Sequence, residues 1–224
     1  INTKAGGVDE QGNPTGESVV VKPFSVVAVD QLQFVKNNPT NAIMYGPKYP
    51  LNWLYSDGSL SHLDNWGKVL QGEYQEQAIF WHLYDPARKG TWTGLKIKSV
   101  TLTDNIADLL CDVPFAPIVI DADFIADCLN KGVGLENNSA TVQSITIVDG
   151  NIIRVVFDQA PAATDALLMG FTNTAEHSPE NDSVYPLTCF RDSSPRVSRW
   201  VTRNGSPFPL YNWMCLDRIP LTQE

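Results

Sequence analysis

Two rhythms of apolar residues divide the chain. Over residues 62–84, Leu63, Trp66, Leu70, Tyr74, Ala78 and Trp81 recur every three or four positions, while Asp64, Lys68, Gln71, Gln75 and Glu76 fill the opposite side. That is the period of an amphipathic helix. Ser61 is placed to cap its start, and Asp85-Pro86 ends it. Gly67 and Gly72 lower the helix propensity here, which points to close packing against a neighbouring element. After the turn-rich RKGTWTG the period falls to two: LKIKSVTL, IADLLCDV, APIVIDADF, TVQSITIV and NIIRVVF are short β-branched runs separated by turn residues. The sharpest is ITIV-DG-NIIRVVF, which predicts a hairpin with Asp149-Gly150 at its tip, Ile145 and Ile147 facing one way and Ile153, Val155 and Phe157 alternating across the turn. Strands at this spacing predict an all-β sandwich over residues 94–172.

Other stretches are less periodic. Residues 1–22 read as an irregular lead-in, and SVVAVDQLQFVKNN (25–38) is open between strand and helix, with Leu32, Phe34 and Val35 leaning helical before Pro39 closes it. NAIMYG (41–46), an apolar run bounded by Pro39 and Pro47, predicts a buried strand. A loop rich in aromatics follows it. From Thr172 the chain is loop-rich until LYNWMCLDRIPL, which is expected to return as a closing strand. The change of character at 90–94 sets a boundary between a unit of residues 1–93 and a β unit of residues 94–224.

Composition narrows the classes. In 224 residues, 43% are hydrophobic, ample for a buried core. Sixteen basic against 25 acidic residues give a net charge of −9, which argues against a general nucleic-acid binder. No apolar run approaches the ~20 residues of a membrane span, so a soluble protein without membrane insertion is expected. The chain begins at Ile1 with a polar, Gly-rich segment lacking the character of a secretory signal, and is expected to be a piece of a longer protein. Cys111, Cys128, Cys189 and Cys215 form no CxxC and no Cys/His cluster, so no metal site is expected and buried free thiols are the plain reading; a Cys111–Cys128 pair stays open.

Of three histidines, His82 sits near the helix end and His177 in a polar loop, whereas His62 stands where an aromatic-rich loop enters the helix. Asp57 and His62 have the residue types of the acid–imidazole half of a hydrolytic triad, the carboxylate holding the tautomer of a ring that accepts a serine proton. An Asp-Gly turn before a helix that begins with histidine is the plainer alternative. Tyr45, Tyr49, Trp53 and Tyr55 flank this loop, and flat rings beside hydrogen-bonding groups suit the apolar faces of sugars; Tyr49, Trp53 and Tyr55 are the candidate substrate wall. In the β unit, Trp92 and Trp200 are expected to be exposed, and Arg191, Arg196, Arg199 and Arg203 to form a solvated basic face.

DQLQFVKNNP, MYGPKYPL and SDGSLSHLDNWGKVLQGEY resemble the C-terminal block of SGNH (GDSL-type) hydrolases, especially those of bacteriophage tails, where a D-x-x-H-L sequence precedes a helix. FRDSSP (190–195) and LYNW (210–213) are similar to segments of the β-rich module that follows in phage versions. The resemblance implies an α/β first unit, the C-terminal portion of a flavodoxin-like SGNH domain, followed by the β-sandwich. It makes His62 the catalytic base and Asp57 its orienting acid, with no cofactor, in a carbohydrate O-acetylesterase. Its setting would be a phage virion, acting on bacterial surface polysaccharide, as a trimer or beside other tail proteins. Asp57 lies further from His62 than the motif places it, and no G-D-S nucleophile element occurs, so the serine would have to come from outside this segment. A non-enzymatic receptor-binding or structural tail protein is the alternative.

Overall fold

A computed structural model describes residues 24–51, 62–121, 123–125, 127–171, 187–201 and 205–221. The period-two runs become strands β1 (Lys96–Thr103), β2 (Ile106–Asp112), β5 (Val142–Val148) and β6 (Ile152–Phe157), which form one antiparallel sheet in the order β1-β2-β6-β5. Their alternation is the pleat: Ala107, Leu109 and Cys111 of β2 and Ile153, Val155 and Phe157 of β6 point to the same buried side. The β5–β6 register pairs Ile145 with Val155 and Ile147 with Ile153, across a connection in which Asp149 and Gly150 both take positive φ.

A second antiparallel sheet supplies the facing layer. Strands β4 (Val133–Leu135), β7 (Ala166–Met169) and β11 (Asp217–Pro220) pair in the order β11-β7-β4. Val133, Leu135, Leu167 and Met169 join the apolar cluster of the first sheet. The remaining strands are short: β3 (Val119–Ile120) pairs with β8 (Phe190–Arg191), and β9 (Val197–Val201) with β10 (Pro207–Pro209). All four residues of β7 are buried because its other side is covered too: Leu168 packs with Phe24 and Val29 of the helical lead-in.

Residues 25–38 resolve as a helix, α1 (Val26–Asn37), capped by Ser25, whose hydroxyl accepts the Ala28 N–H. It is fastened to β11 by Lys36 and Gln33, which both bond the Asp217 carboxylate. Helix α2 (Asn65–Ile79) starts at Asp64, whose side chain accepts the Gly67 N–H at 2.7 Å, rather than at Ser61, which lies outside the described residues. A short π-helical turn (Phe80–Tyr84) continues it, and Asp85 ends it by accepting the Ala87 N–H. Leu70, Tyr74 and Ala78 are buried as the period predicts, whereas Trp66 and Trp81 are half-buried. Gly67 is buried, but a Cβ on Gly72 would meet open space, so close packing holds at only one of the two glycines.

The α/β first unit expected from the SGNH resemblance is absent from the described residues. Every strand pair there is antiparallel, and the sheets are small and follow the two helices instead of alternating with them. A flavodoxin-like half needs parallel strands joined by helical crossovers. The run that would supply one, 41–46, forms no ladder; the Met44 carbonyl instead accepts the Trp92 indole N–H at 2.8 Å. That contact also buries Trp92, to 5% exposure, against the expectation of an exposed ring.

Helix α2 packs on the last part of the chain. Leu63, Leu70 and Tyr74 share an apolar cluster with Phe208 and Leu210, the Tyr74 hydroxyl donates to the Tyr211 carbonyl (2.9 Å), and the Gln77 amide donates to Asn212 Oδ1 (3.1 Å).

Candidate functional site: an aromatic cleft between FRDSSP and LYNW

The two motifs meet in space. Arg191 in β8 bridges Trp213, and the Asp192 carboxylate, wholly buried, accepts the backbone N–H groups of Ser194, Asn212 and Phe115 and the Asn212 side-chain amide. Burial pushes the Asp192 carboxyl up, against the pull of these donors. One end of this network opens into a cleft of about 370 Å³ lined by residues 119–121, 123 and 124, Arg191, Pro209 and Tyr211.

Its apolar wall is built around Phe124, a ring left 37% exposed on the described surface. The ring stacks on Trp213 (centroids 5.7 Å apart, planes 28°) and meets Phe208 and Tyr211 edge-on. The local chain holds it there: Asp121 Oδ1 accepts the N–H groups of Asp123 and Phe124, a side-chain-closed turn that ends the strand and throws the ring outward. On the polar wall, the Arg191 guanidinium lies 3.7 Å from the Tyr211 ring centroid, pairs with Asp121 Oδ2 through Nε, and donates to the Asp192 carbonyl. Burial tends to raise the Asp121 carboxyl, but the Arg191 bond and the two backbone donors outweigh it and hold the group below the usual range.

This has a measurable sign. A depressed carboxyl contributes stability that is present above its unfolded-state value, about 4, and is lost as pH falls through the lower folded-state value. Asp121→Asn is therefore expected to lower unfolding free energy by about 1.5–3 kcal/mol at pH 7. That deficit, compared between pH 7 and acid, should close as pH falls from about 4 down through the lower folded-state value. Urea unfolding at both pH values measures it, and a deficit unchanged by acid would remove the ion pair from the account.

The residues singled out by sequence fall in different places. Tyr49 is half-buried, its hydroxyl bonded to the Met214 carbonyl (2.9 Å) and Thr188 (3.0 Å), and its ring meets Trp213 edge-on at 6.3 Å. It packs against the Trp213 ring that backs Phe124 and is not among the residues lining the cleft. His62 is exposed at the entrance to α2, and the next residue, Leu63, packs in the cluster that includes Phe208. Asp57, Trp53, Tyr55 and His177 lie outside the described residues. Trp200 is 54% exposed on β9. Of the basic residues, Arg191 departs from the expected solvated face and is mostly buried, whereas Arg196 and Arg199 remain at the surface, where they reach Glu76 and the buried Glu73. Arg203 lies outside the described residues.

Sequence reasoning missed Phe124, Asp121 and Tyr211. APIVIDADF reads as an apolar run, yet Asp121 followed by Asp123 and Phe124 carries the Asx-turn signal that breaks it after Ile120. Among the described residues, no group of three or more His, Cys, Asp or Glu is placed to hold a metal ion, and no helix is long and apolar enough to cross a membrane. No protein-family model, curated protein or solved structure matches the chain.

Proposed function

We propose that the chain is a glycan-binding module of a phage tail attachment protein, holding bacterial surface polysaccharide in the Phe124–Tyr211 cleft without cleaving it. The observation that carries this reading is the pairing of an exposed, pre-stacked aromatic platform with a charged rim fixed in place. Phe124 offers a flat apolar surface to the C–H face of a sugar, while Asp123 and the Asp121–Arg191 pair offer acceptors and donors to its hydroxyls. Both walls are held by other contacts, so little ordering cost falls on binding. The similarity of FRDSSP and LYNW to phage tail modules supports placing it on a virion, since those motifs build the cleft. The esterase expectation depends on an α/β half that the described chain does not have, and binding is the reading carried here.

The test is an array of bacterial surface polysaccharides probed with wild type and Phe124→Ala, followed by titration of the best ligand. Saturable binding is expected, weakened about tenfold in the variant, the equivalent of ~1.4 kcal/mol of lost stacking, with no acetate released from an O-acetylated glycan. Equal binding by both proteins, or none by either, would overturn the assignment of the cleft. Acetate release by wild type would restore the esterase.

A further inference from the structure

Behind the cleft lie two thiols. Cys128 and Cys189 are 61 residues apart in sequence, both are buried, and their sulfurs stand 3.4 Å from one another. Three successive residues with positive φ, Asn130, Lys131 and Gly132, turn the chain back so that Cys128 faces Cys189, the residue just before β8. The backbone is already pinned there: the Cys189 N–H donates to the Lys131 carbonyl, and the Lys131 N–H to the Cys128 carbonyl. A disulfide needs sulfurs about 2.05 Å apart, so an approach of about 1.4 Å separates the dithiol from the bond.

We propose that Cys128 and Cys189 form a reversible disulfide that ties the two walls of the cleft together. The segment leading into Cys128 carries Phe124, while Cys189 precedes Arg191 by two residues and its carbonyl accepts the Asp121 N–H at 2.7 Å. The bond therefore crosslinks the apolar wall to the polar wall. The oxidant is a peroxide, small enough to reach buried sulfur. The Cys189 thiolate attacks one peroxide oxygen, giving a sulfenic acid and hydroxide; the Cys128 sulfur then displaces that oxygen as water, and the two thiol protons end in the two waters formed.

The chemistry of the pair favours Cys189 as the attacking group. The contact with Cys128 lowers the Cys189 thiol, outweighing burial and the Asp127 carboxylate 3.6 Å from its sulfur, while the same contact and burial raise Cys128. The other two thiols are held inert: burial pushes both Cys111 and Cys215 up to about 12.

The experiment treats the full chain with hydrogen peroxide, then unfolds it in a thiol-alkylating reagent and digests it. A peptide linked through Cys128 and Cys189 is expected, with Cys111 and Cys215 alkylated, and dithiothreitol should restore all four thiols. The oxidised form should melt on the order of 10 °C above the reduced form. Cys128→Ala, which keeps a small apolar group in that cluster, should yield no linked peptide and no peroxide-dependent rise in melting. Four alkylated thiols after peroxide, a bond between any other pair, or over-oxidised Cys189 beside intact Cys128 would overturn the proposal. None of these readouts depends on a glycan.

Discussion

Asp192→Ala should lower the unfolding free energy by about 3–5 kcal/mol, near the largest loss a single side chain causes. The carboxylate is at 0% exposure and is the meeting point of the two motifs: Oδ1 takes the N–H groups of Ser194 and Asn212, and Oδ2 takes the Phe115 N–H and the Asn212 amide. Truncation strands four donors, three of them in fully buried bonds, and each unmet buried group costs about 1–3 kcal/mol before relaxation. The loss spreads to α2, because the Asn212 that Asp192 orients also accepts from Gln77. The pH dependence follows from the raised carboxyl. The folded state holds this proton more tightly than the unfolded chain, so this group's contribution falls as pH rises above its unfolded-state value of about 4. Asp192→Asn should remove that slope while keeping the shape. Denaturant unfolding from pH 4 to 7 measures both, and an alanine variant within 1 kcal/mol of wild type would show that the network stabilises nothing.

Gly132→Ala should cost about 3 kcal/mol. Gly132 has φ +92°, and a Cβ there would stand 2.6 Å from the Leu187 carbonyl oxygen and 2.9 Å from the Thr188 Cα. Both neighbours are backbone in the segment leading to Cys189, so neither swings aside like a long side chain. Gly90 separates conformation from crowding: it has φ +77° with nothing within 4 Å of a Cβ, and its alanine variant should lose only about 1 kcal/mol. Thermal or chemical melts of the two variants give the comparison. Equal losses would mean that crowding by residues 187–188 adds nothing at Gly132.

The parts of the fold legible in sequence are those fixed by neighbours along the chain. The hairpin at 145–157 follows from alternation plus Asp149-Gly150, and the α2 stripe from its period; both signals are local. The strand expected at 41–46 fails because an apolar run does not specify a pairing partner; the run is only half-buried, and the Met44 carbonyl is met by the Trp92 indole N–H, far along the sequence. The parallel half-sheet came from resemblance, and no alternating βα pattern in the residues supports it. Arg191 reads as surface charge because its partner Asp121 is 70 residues away and its stacking partner Tyr211 lies in another motif. The cleft was half visible: FRDSSP and LYNW stand out as motifs, but only the folded chain brings Phe124 between them.

The docking of both helices onto late-sequence residues has a consequence for synthesis. Gln33 and Lys36 find Asp217, and Tyr74 and Gln77 find Tyr211 and Asn212, across separations of 135 to 184 residues. The helices leave the ribosome before the strands, yet their anchors emerge only after every described strand but β11 has been made. At about 5–20 residues per second they wait for seconds with apolar faces uncovered. That interval, more than the finished fold, is where a chaperone or a neighbouring copy would meet this chain.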